Sequence, residues 1–166
     1  MGTSYQILEP EGAEYLSSTF PALVKNGTNI PIVALAFDAA ADEAAFWRLD
    51  ASQYSSGNLT VDIFWYADTA STNDVVWGAS LACITANTDT QDVESKALAT
   101  ENTVTDSHLG TTGQRLHMAT VTVSNLDSIA AGDAAWLRVR RLGSNGSDTM
   151  AGDALLERVI VSYTTA

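Results

Sequence analysis

Eight short segments in which apolar and polar residues alternate constrain this chain more than any other feature of its sequence. They are rich in Val, Ile, Thr, Phe and Trp, and Gly, Asn, Asp and Ser separate them. Alternation with a period of two is the pattern of a strand that buries one face, and β-branched and aromatic residues favour strands. The segments are 32–37, 45–49, 59–66, 75–84, 97–104, 116–123, 135–141 and 155–163.

About eight strands at this spacing predict an all-β fold, an antiparallel β-sandwich of jelly-roll type. The helical period of 3.6 residues is absent outside the alanine-rich stretch 38–46, which has room for one turn. The chain has 166 residues, 46% of them hydrophobic, so a single domain over residues 31–166 can bury a core. The residues predicted to fill the space between the sheets are Trp47, Trp65, Trp77 and Trp136.

Two finer predictions follow from the same alternation. In the last segment Leu155 is expected on the face of Val159, and Leu156 on the opposite face with Arg158. Cys83 is the only cysteine and lies in an apolar segment, so it is expected to be buried and unreactive. A single cysteine also excludes an intramolecular disulfide.

Residues 1–30 lack a sustained period and contain Pro10 and Pro21. They are predicted to form an extended N-terminal arm that packs on a partner, with a partly ordered terminus as the alternative. The apolar residues of this arm that would contact the partner are Ile7, Leu8, Tyr15, Leu16, Phe20 and Leu23.

The charge balance excludes some partners. The chain has 20 acidic residues against 8 basic ones, a formal charge of −12. Neutralising phosphate requires clustered Lys and Arg, so binding to nucleic acid or to an anionic membrane surface is not expected. The first residues lack the features of a signal peptide, and no apolar run approaches the ~20 residues of a membrane span. The sequence therefore predicts neither nucleic acid nor membrane as a partner.

No catalytic arrangement stands out. His108 and His117 are an odd number of residues apart with glycines between them, which predicts independent surface positions. Neither Gly-x-Ser-x-Gly nor His-Glu-x-x-His occurs. The prediction is therefore a protein that is not an enzyme and has no catalytic residues, cofactor or metal. A hydrolase with two carboxylates in a shared cleft remains open.

Carboxylates near turns offer hard oxygen ligands that suit Ca²⁺, although no EF-hand spacing occurs. Ordinary turn hydrogen bonds are the favoured interpretation. The carboxylates in question are Asp38, Asp42, Glu43, Asp148 and Asp153.

Arginine is scarce in the chain, which makes one group of three distinctive. Arg138, Arg140 and Arg141 are predicted to form ion pairs with carboxylates such as Glu157 or Asp62. These pairs would lie within a sheet or across a subunit boundary.

The order of motifs resembles small structural proteins of tailed bacteriophages, some of which are jelly-roll capsid decoration (cement) proteins. The motifs are 20–24, 35–38, 57–61, 75–77, 137–141, 152–154 and 159–163. The resemblance implies a homo-oligomer, commonly a trimer, on the outer capsid of the virion, made in the host cytoplasm. It would bind the major capsid protein and stabilise the shell by bridging its subunits.

The alternative function is a fibre- or tail-associated β-sandwich module that binds a host glycan. Such modules stack exposed aromatic rings on the face of a pyranose, with polar side chains alongside. The first candidates for this contact are Tyr54, Trp65 and Tyr66.

Overall fold

The computed structural model describes residues 1–68 and 72–166, and its regular structure is almost entirely β. Two single turns of 3-10 helix, Pro10–Gly12 and Val93–Ser95, accompany the strands. The strands are β1 (Gly2–Leu8), β2 (Ala22–Asn26), β3 (Ile32–Phe37), β4 (Asp42–Asp50), β5 (Tyr54–Ala67), β6 (Asp74–Ile84), β7 (Asn102–Ser107), β8 (His117–Val123), β9 (Ala134–Leu142) and β10 (Ala154–Thr165).

The strands form two antiparallel sheets packed as a jelly-roll β-sandwich. Sheet A has the order β2-β3-β10-β5-β8, with β1 also paired to β10, and sheet B has the order β4-β9-β6-β7. The predicted fold class is confirmed, and each of the eight predicted segments overlaps a strand. Within these described ranges, no helix has the length and apolarity that crossing a bilayer requires.

The two additional strands come from residues 1–30. β1 pairs with the second half of β10, from Gly2 opposite Thr165 to Leu8 opposite Val159. β2 pairs with β3 along its whole length. Much of the predicted arm is therefore paired with sheet A, and Leu8 belongs to the core.

The core lies between the inner faces of the sheets. Trp65 and Trp77 are fully buried there, and Phe37 meets Trp77 edge-on with ring centroids 5.2 Å apart. Trp47 is also buried. The prediction for Trp136 is wrong, because β9 buries its neighbours Ala135 and Leu137 and thereby turns Trp136 to the outer face of sheet B.

A β-bulge in β10 overturns the strict alternation predicted for that strand. Leu156 pairs with Trp65 while Arg158 pairs with Phe64, so Glu157 is an extra residue with no partner of its own. Leu156 and Val159 consequently both enter the core, and Leu155 faces outward. A bulge places two consecutive side chains on one face. Here it turns Glu157 and Arg158 together towards the outer face of sheet A.

Candidate ligand-binding groove

The outer face of sheet A carries an open groove of about 450 Å³, which we call groove A. Its floor is formed by the end of β5 and by the bulge of β10. The hairpin between β2 and β3 forms one wall, and the segment before β8 forms the other. The residues that matter for its chemistry are Asn26, Ile30, Tyr66, Gln114, Leu116 and Arg158.

The floor of groove A combines the largely buried ring of Tyr66 with a held side-chain amide. Asn26 Nδ2 donates to the Tyr66 hydroxyl at 3.1 Å, which joins the β2 wall to the floor. Next along β5 on the same face, Phe64 lies under the Arg158 guanidinium, 4.5 Å from its ring centroid. Glu157 pairs with Arg158 at 3.5 Å. The groove therefore offers apolar side chains with hydrogen-bonding groups beside them.

The β2–β3 wall depends on a glycine. Gly27 has φ +94°, in the left-handed region that side chains rarely adopt. A Cβ at this position would lie 1.9 Å from the carbonyl oxygen of Ile30. The tight turn carries Ile30 to the rim of the groove, where its side chain is 66% exposed.

The other wall depends on two buried histidines, so the prediction that they occupy independent surface positions is wrong. His108 and His117 are both buried, with ring centroids 4.6 Å apart. His108 lies beyond the end of β7, so counting residues along one strand does not apply to the pair. The loop 108–116 between them folds back and brings the two rings together.

Backbone groups of this loop bind the imidazole nitrogens. Gly110 N donates to His108 Nδ1 at 2.9 Å, and Leu109 N donates to His117 Nε2 at 2.9 Å. His117 also stacks on Trp65, with centroids 4.7 Å apart. The accepting nitrogens must carry no proton, so these bonds require neutral rings. The loop supplies Gln114 and Leu116 to groove A.

Acidification is expected to destabilise the protein through His117. Burial, and then the nearby His108, lower the pKa of His117 below its ordinary value of 6.5. Asp106 and a backbone hydrogen bond of Arg115 oppose this shift, and the charge of Arg115 makes a smaller contribution in its favour. The unfolded chain takes up a proton near the ordinary value while the folded chain does not, so stability falls as pH drops below it. Urea unfolding at pH 7.5 and pH 5.5 measures the loss.

Substituting His117→Gln isolates this contribution. Burial raises the pKa values of Glu43 and Asp153, so those carboxylates stabilise the folded state as pH falls and oppose the histidine. The H117Q variant should lose less stability between the two pH values than the wild type. An equal loss in both proteins would contradict the role of His117. If H117Q does not fold, the protection factors of the amides of 108–116 in the wild type, corrected for the intrinsic exchange rate at each pH, should be lower at pH 5.5 than at pH 7.5.

The predicted glycan contacts are not brought together. Trp65 is fully buried, and its Nε1 donates to Asp106 Oδ2 at 2.7 Å, so it cannot contact a ligand. Tyr54 begins β5, about 40 Å from Tyr66 at the rise of an extended strand, and its ring packs on Tyr163. Only Tyr66 lines groove A.

The predicted partner contacts of residues 1–30 divide into two sets. Leu8 is buried and is not available to a partner, because β1 places it beside the core. The other five side chains are exposed to different degrees, and the rings of Tyr15 and Phe20 lie 5.4 Å apart. The exposed members are Ile7, Tyr15, Leu16, Phe20 and Leu23.

The three arginines form ion pairs within the chain, but with other partners than predicted. Glu101 accepts from Arg138 at 3.1 Å and from Arg140 at 2.7 Å on the outer face of sheet B. Arg141 is fully buried and pairs with Asp148 at 2.7 Å. The proposed partners are engaged elsewhere, since Glu157 pairs with Arg158 and Asp62 accepts from Thr120.

Four of the five carboxylates considered for calcium, those of Asp38, Asp42, Glu43 and Asp148, are used in the protein's own hydrogen bonds. Asp42 accepts from the backbone and hydroxyl of Ser144, and Glu43 accepts from Asp38 N. Asp148 holds Arg141. Residues 1–68 and 72–166 contain no group of three or more His, Cys, Asp or Glu side chains placed to hold a metal ion.

Cys83 lies in the core as predicted, and burial raises the pKa of its thiol to about 12. A thiol with so high a pKa is not a nucleophile at neutral pH.

The fold is similar to that of solved carbohydrate-binding modules. CBM35 from Cellvibrio japonicus Abf62 is 16% identical with a TM-score of 0.51, and the match covers 98% of this chain and 99% of that one. TmCBM27, a module described as recognising mannan, is 10% identical with a TM-score of 0.50, over 99% and 100% of the two chains. No protein-family model matches the sequence, and no curated protein does. At these identities the likeness establishes the fold.

The prediction of a capsid decoration protein is wrong. The two matching structures described above are carbohydrate-binding modules, and the resemblance to phage proteins holds only for the jelly-roll sandwich. The motifs that carried it are positions that any such sandwich needs: Val75, Trp77 and Val161, for example, are core residues. The expectations of a trimer and of the major capsid protein as partner were implied by the capsid decoration function, so they lose their support with it.

Sequence reasoning missed most of groove A. Asn26 and Gln114 come from segments that showed no strand pattern. Arg158 reaches the groove through the bulge at Glu157, which leaves no mark in the sequence. The alternation of β5 is the signal that separates Tyr66 on the outer face from Trp65 on the inner face.

Proposed function

We propose that this protein is a non-catalytic carbohydrate-binding module and that groove A binds a saccharide chain. The observation that carries the proposal is the groove itself, in which exposed Ile30 and Leu116 flank the amides of Asn26 and Gln114 and the Arg158 guanidinium, with Tyr66 in the floor. Pyranose rings have apolar faces and hydroxyl-bearing edges, which such a surface complements. The likeness of fold to carbohydrate-binding modules supports the choice of ligand class.

The ligand that suits groove A is a neutral saccharide. Its one guanidinium is already paired with Glu157 and stacked on Phe64, so the groove has no free positive charge for an anionic sugar. The net charge of −12 also repels polyanions at a distance. Exposed Ile30 and Leu116 on opposite walls leave room for a chain between them.

Truncating the walls of groove A is expected to weaken binding without unfolding the protein. Ile30 and Leu116 are more than half exposed, so alanine at either position costs little stability. Each truncation removes about 1 kcal/mol of apolar contact with the ligand, or about fivefold in affinity. Titration calorimetry with mannohexaose, cellohexaose and xylohexaose measures the change, after gel-retardation screening with the corresponding polysaccharides.

Leu109→Ala is the matched control for Leu116→Ala. Leu109 belongs to the same loop and is similarly exposed, but it does not line groove A. Its truncation should leave the affinity unchanged. Wild-type protein that is retained by none of the polysaccharides would contradict the proposed function. Equal affinities for I30A, L116A and L109A would remove the site from groove A.

A further inference from the structure

The outer face of sheet B carries a second groove, which we call groove B, of about 390 Å³. Its aromatic residues are Phe46 of β4 and Trp136 of β9, both half-buried. This volume lies within the range of small-molecule sites, about 300–1,000 Å³. Grooves A and B face away from each other, since the two sheets pack through their inner faces.

Backbone hydrogen bonds fix both walls of groove B. Glu14 and Phe46 exchange two of them, at 2.8 and 2.9 Å, and this holds the N-terminal segment against the edge of β4. On the other side Ala99 N donates to Leu81 O at 2.8 Å and holds the segment before β7 over β6. Each wall presents an exposed apolar side chain, Leu16 from the first and Val93 from the second.

The charges of groove B favour a neutral ligand. Arg138 is paired with Glu101 at 3.1 Å, and Lys96 is paired with Asp127 at 2.9 Å. The Arg48 guanidinium lies over Trp136, 4.5 Å from its ring centroid. Glu94 also lines the groove, so charged groups of both signs flank its apolar surface and neither sign dominates. A neutral ligand with apolar faces and many hydroxyls fits such a site.

We propose that groove B is a second saccharide site, so that one chain binds two saccharide chains on opposite faces and cross-links them. The choice of a saccharide as ligand rests on the proposed function, whereas the location of the second site rests on the geometry of groove B. Two sites on one rigid sandwich raise the avidity for a polysaccharide without any new contact. They also allow one protein to join neighbouring polysaccharide chains.

Trp136 provides a specific probe for groove B. The other three tryptophans are at most 3% exposed, and none of the four lines groove A. A saccharide in groove B should therefore change the tryptophan fluorescence, while one in groove A should not. The experiment combines fluorescence, calorimetric stoichiometry with the three hexaoses and turbidity with the corresponding soluble polysaccharides.

The test compares the wild type with two double variants that remove only exposed apolar side chains. The wild type should bind two hexaoses per chain and produce turbidity. Leu16→Ala/Val93→Ala should weaken binding in groove B about 25-fold, so that near the wild-type Kd it binds one hexaose, with little fluorescence change or turbidity. Ile30→Ala/Leu116→Ala should weaken binding in groove A to a similar degree and keep the fluorescence change.

The outcomes separate this inference from the proposed function. One hexaose per wild-type chain, unaffected by the groove B substitutions, overturns the second site and leaves the proposed function standing. If only the groove B substitutions abolish binding, the result supports groove B as a saccharide site and contradicts the proposal that groove A binds a saccharide. Failure of the wild type to bind any hexaose contradicts the proposed function and removes the ligand of groove B with it.

Discussion

Replacing Arg141 with methionine is expected to lower the free energy of unfolding by about 3–5 kcal/mol, the cost of leaving a buried charge without its partner. Arg141 and Asp148 have no exposed side-chain surface. All five guanidinium N–H groups donate: two to the Asp148 carboxylate, and the others to carbonyl oxygens of Phe37, Met150 and Gly152. Methionine fills comparable volume but leaves the carboxylate and three carbonyls without these donors. Urea unfolding at pH 7 measures the change.

The neighbouring Arg140 is the matched control. It also pairs with a carboxylate, Glu101, but its side chain is 26% exposed. Arg140→Met should therefore cost about 1 kcal/mol or less, as ion pairs in contact with water usually do. If R141M costs no more than R140M, the buried pair does not hold the fold together.

A second substitution tests the reason for the loss. Asp148 Oδ2 also accepts from Val76 N at 3.0 Å, and an asparagine oxygen can keep that bond. Adding Asp148→Asn to R141M removes the uncompensated charge, so the double variant should be more stable than R141M alone. A double variant that is less stable would show that the three carbonyls, rather than the charge, determine the cost.

The strands could be predicted because their signal is local. Alternation in β6 predicts that Val75, Trp77 and Cys83 share one face, and all three are buried. β1 and β2 carry no such pattern, since one face of β1 exposes Tyr5 and Ile7. These two strands are held by backbone pairing, β1 with β10 and β2 with β3. The residue that pairs with Leu8 is Val159, far away in the sequence.

The site could be predicted only in part, because register decides which side chain reaches it. One inserted residue, Glu157, reverses the faces of Leu155 and Leu156 relative to strict alternation. The histidine pair depends on a loop that returns on itself, which spacing along a strand cannot describe. Tyr66 and Trp65 were both predicted as aromatic glycan contacts with polar side chains beside them. Trp65 was also predicted to fill the core, and it lies there.

Trp65→Ala should therefore behave as a core substitution, costing about 3–5 kcal/mol. The indole packs among fully buried residues, 6.3 Å from the ring of Trp77 and stacked on His117. Removing it leaves a cavity and frees the Asp106 carboxylate that accepts its N–H. For a domain of this size the expected fall in Tm is about 10 °C or more, measured by calorimetry.

The outward-facing Trp136 provides the comparison for this prediction. Trp136→Ala removes a half-buried ring and its contact with Arg48, so its cost in stability should be about 2 kcal/mol, below that of W65A. If W65A does not fold, Trp65→Phe is the alternative, because phenylalanine keeps most of the side-chain volume. W65F should still accelerate amide exchange in 108–116, because it loses the hydrogen bond to Asp106 and weakens the ring stacking on His117. A W65A protein with unchanged Tm and lost saccharide binding would restore Trp65 as a ligand contact and contradict its place in the core.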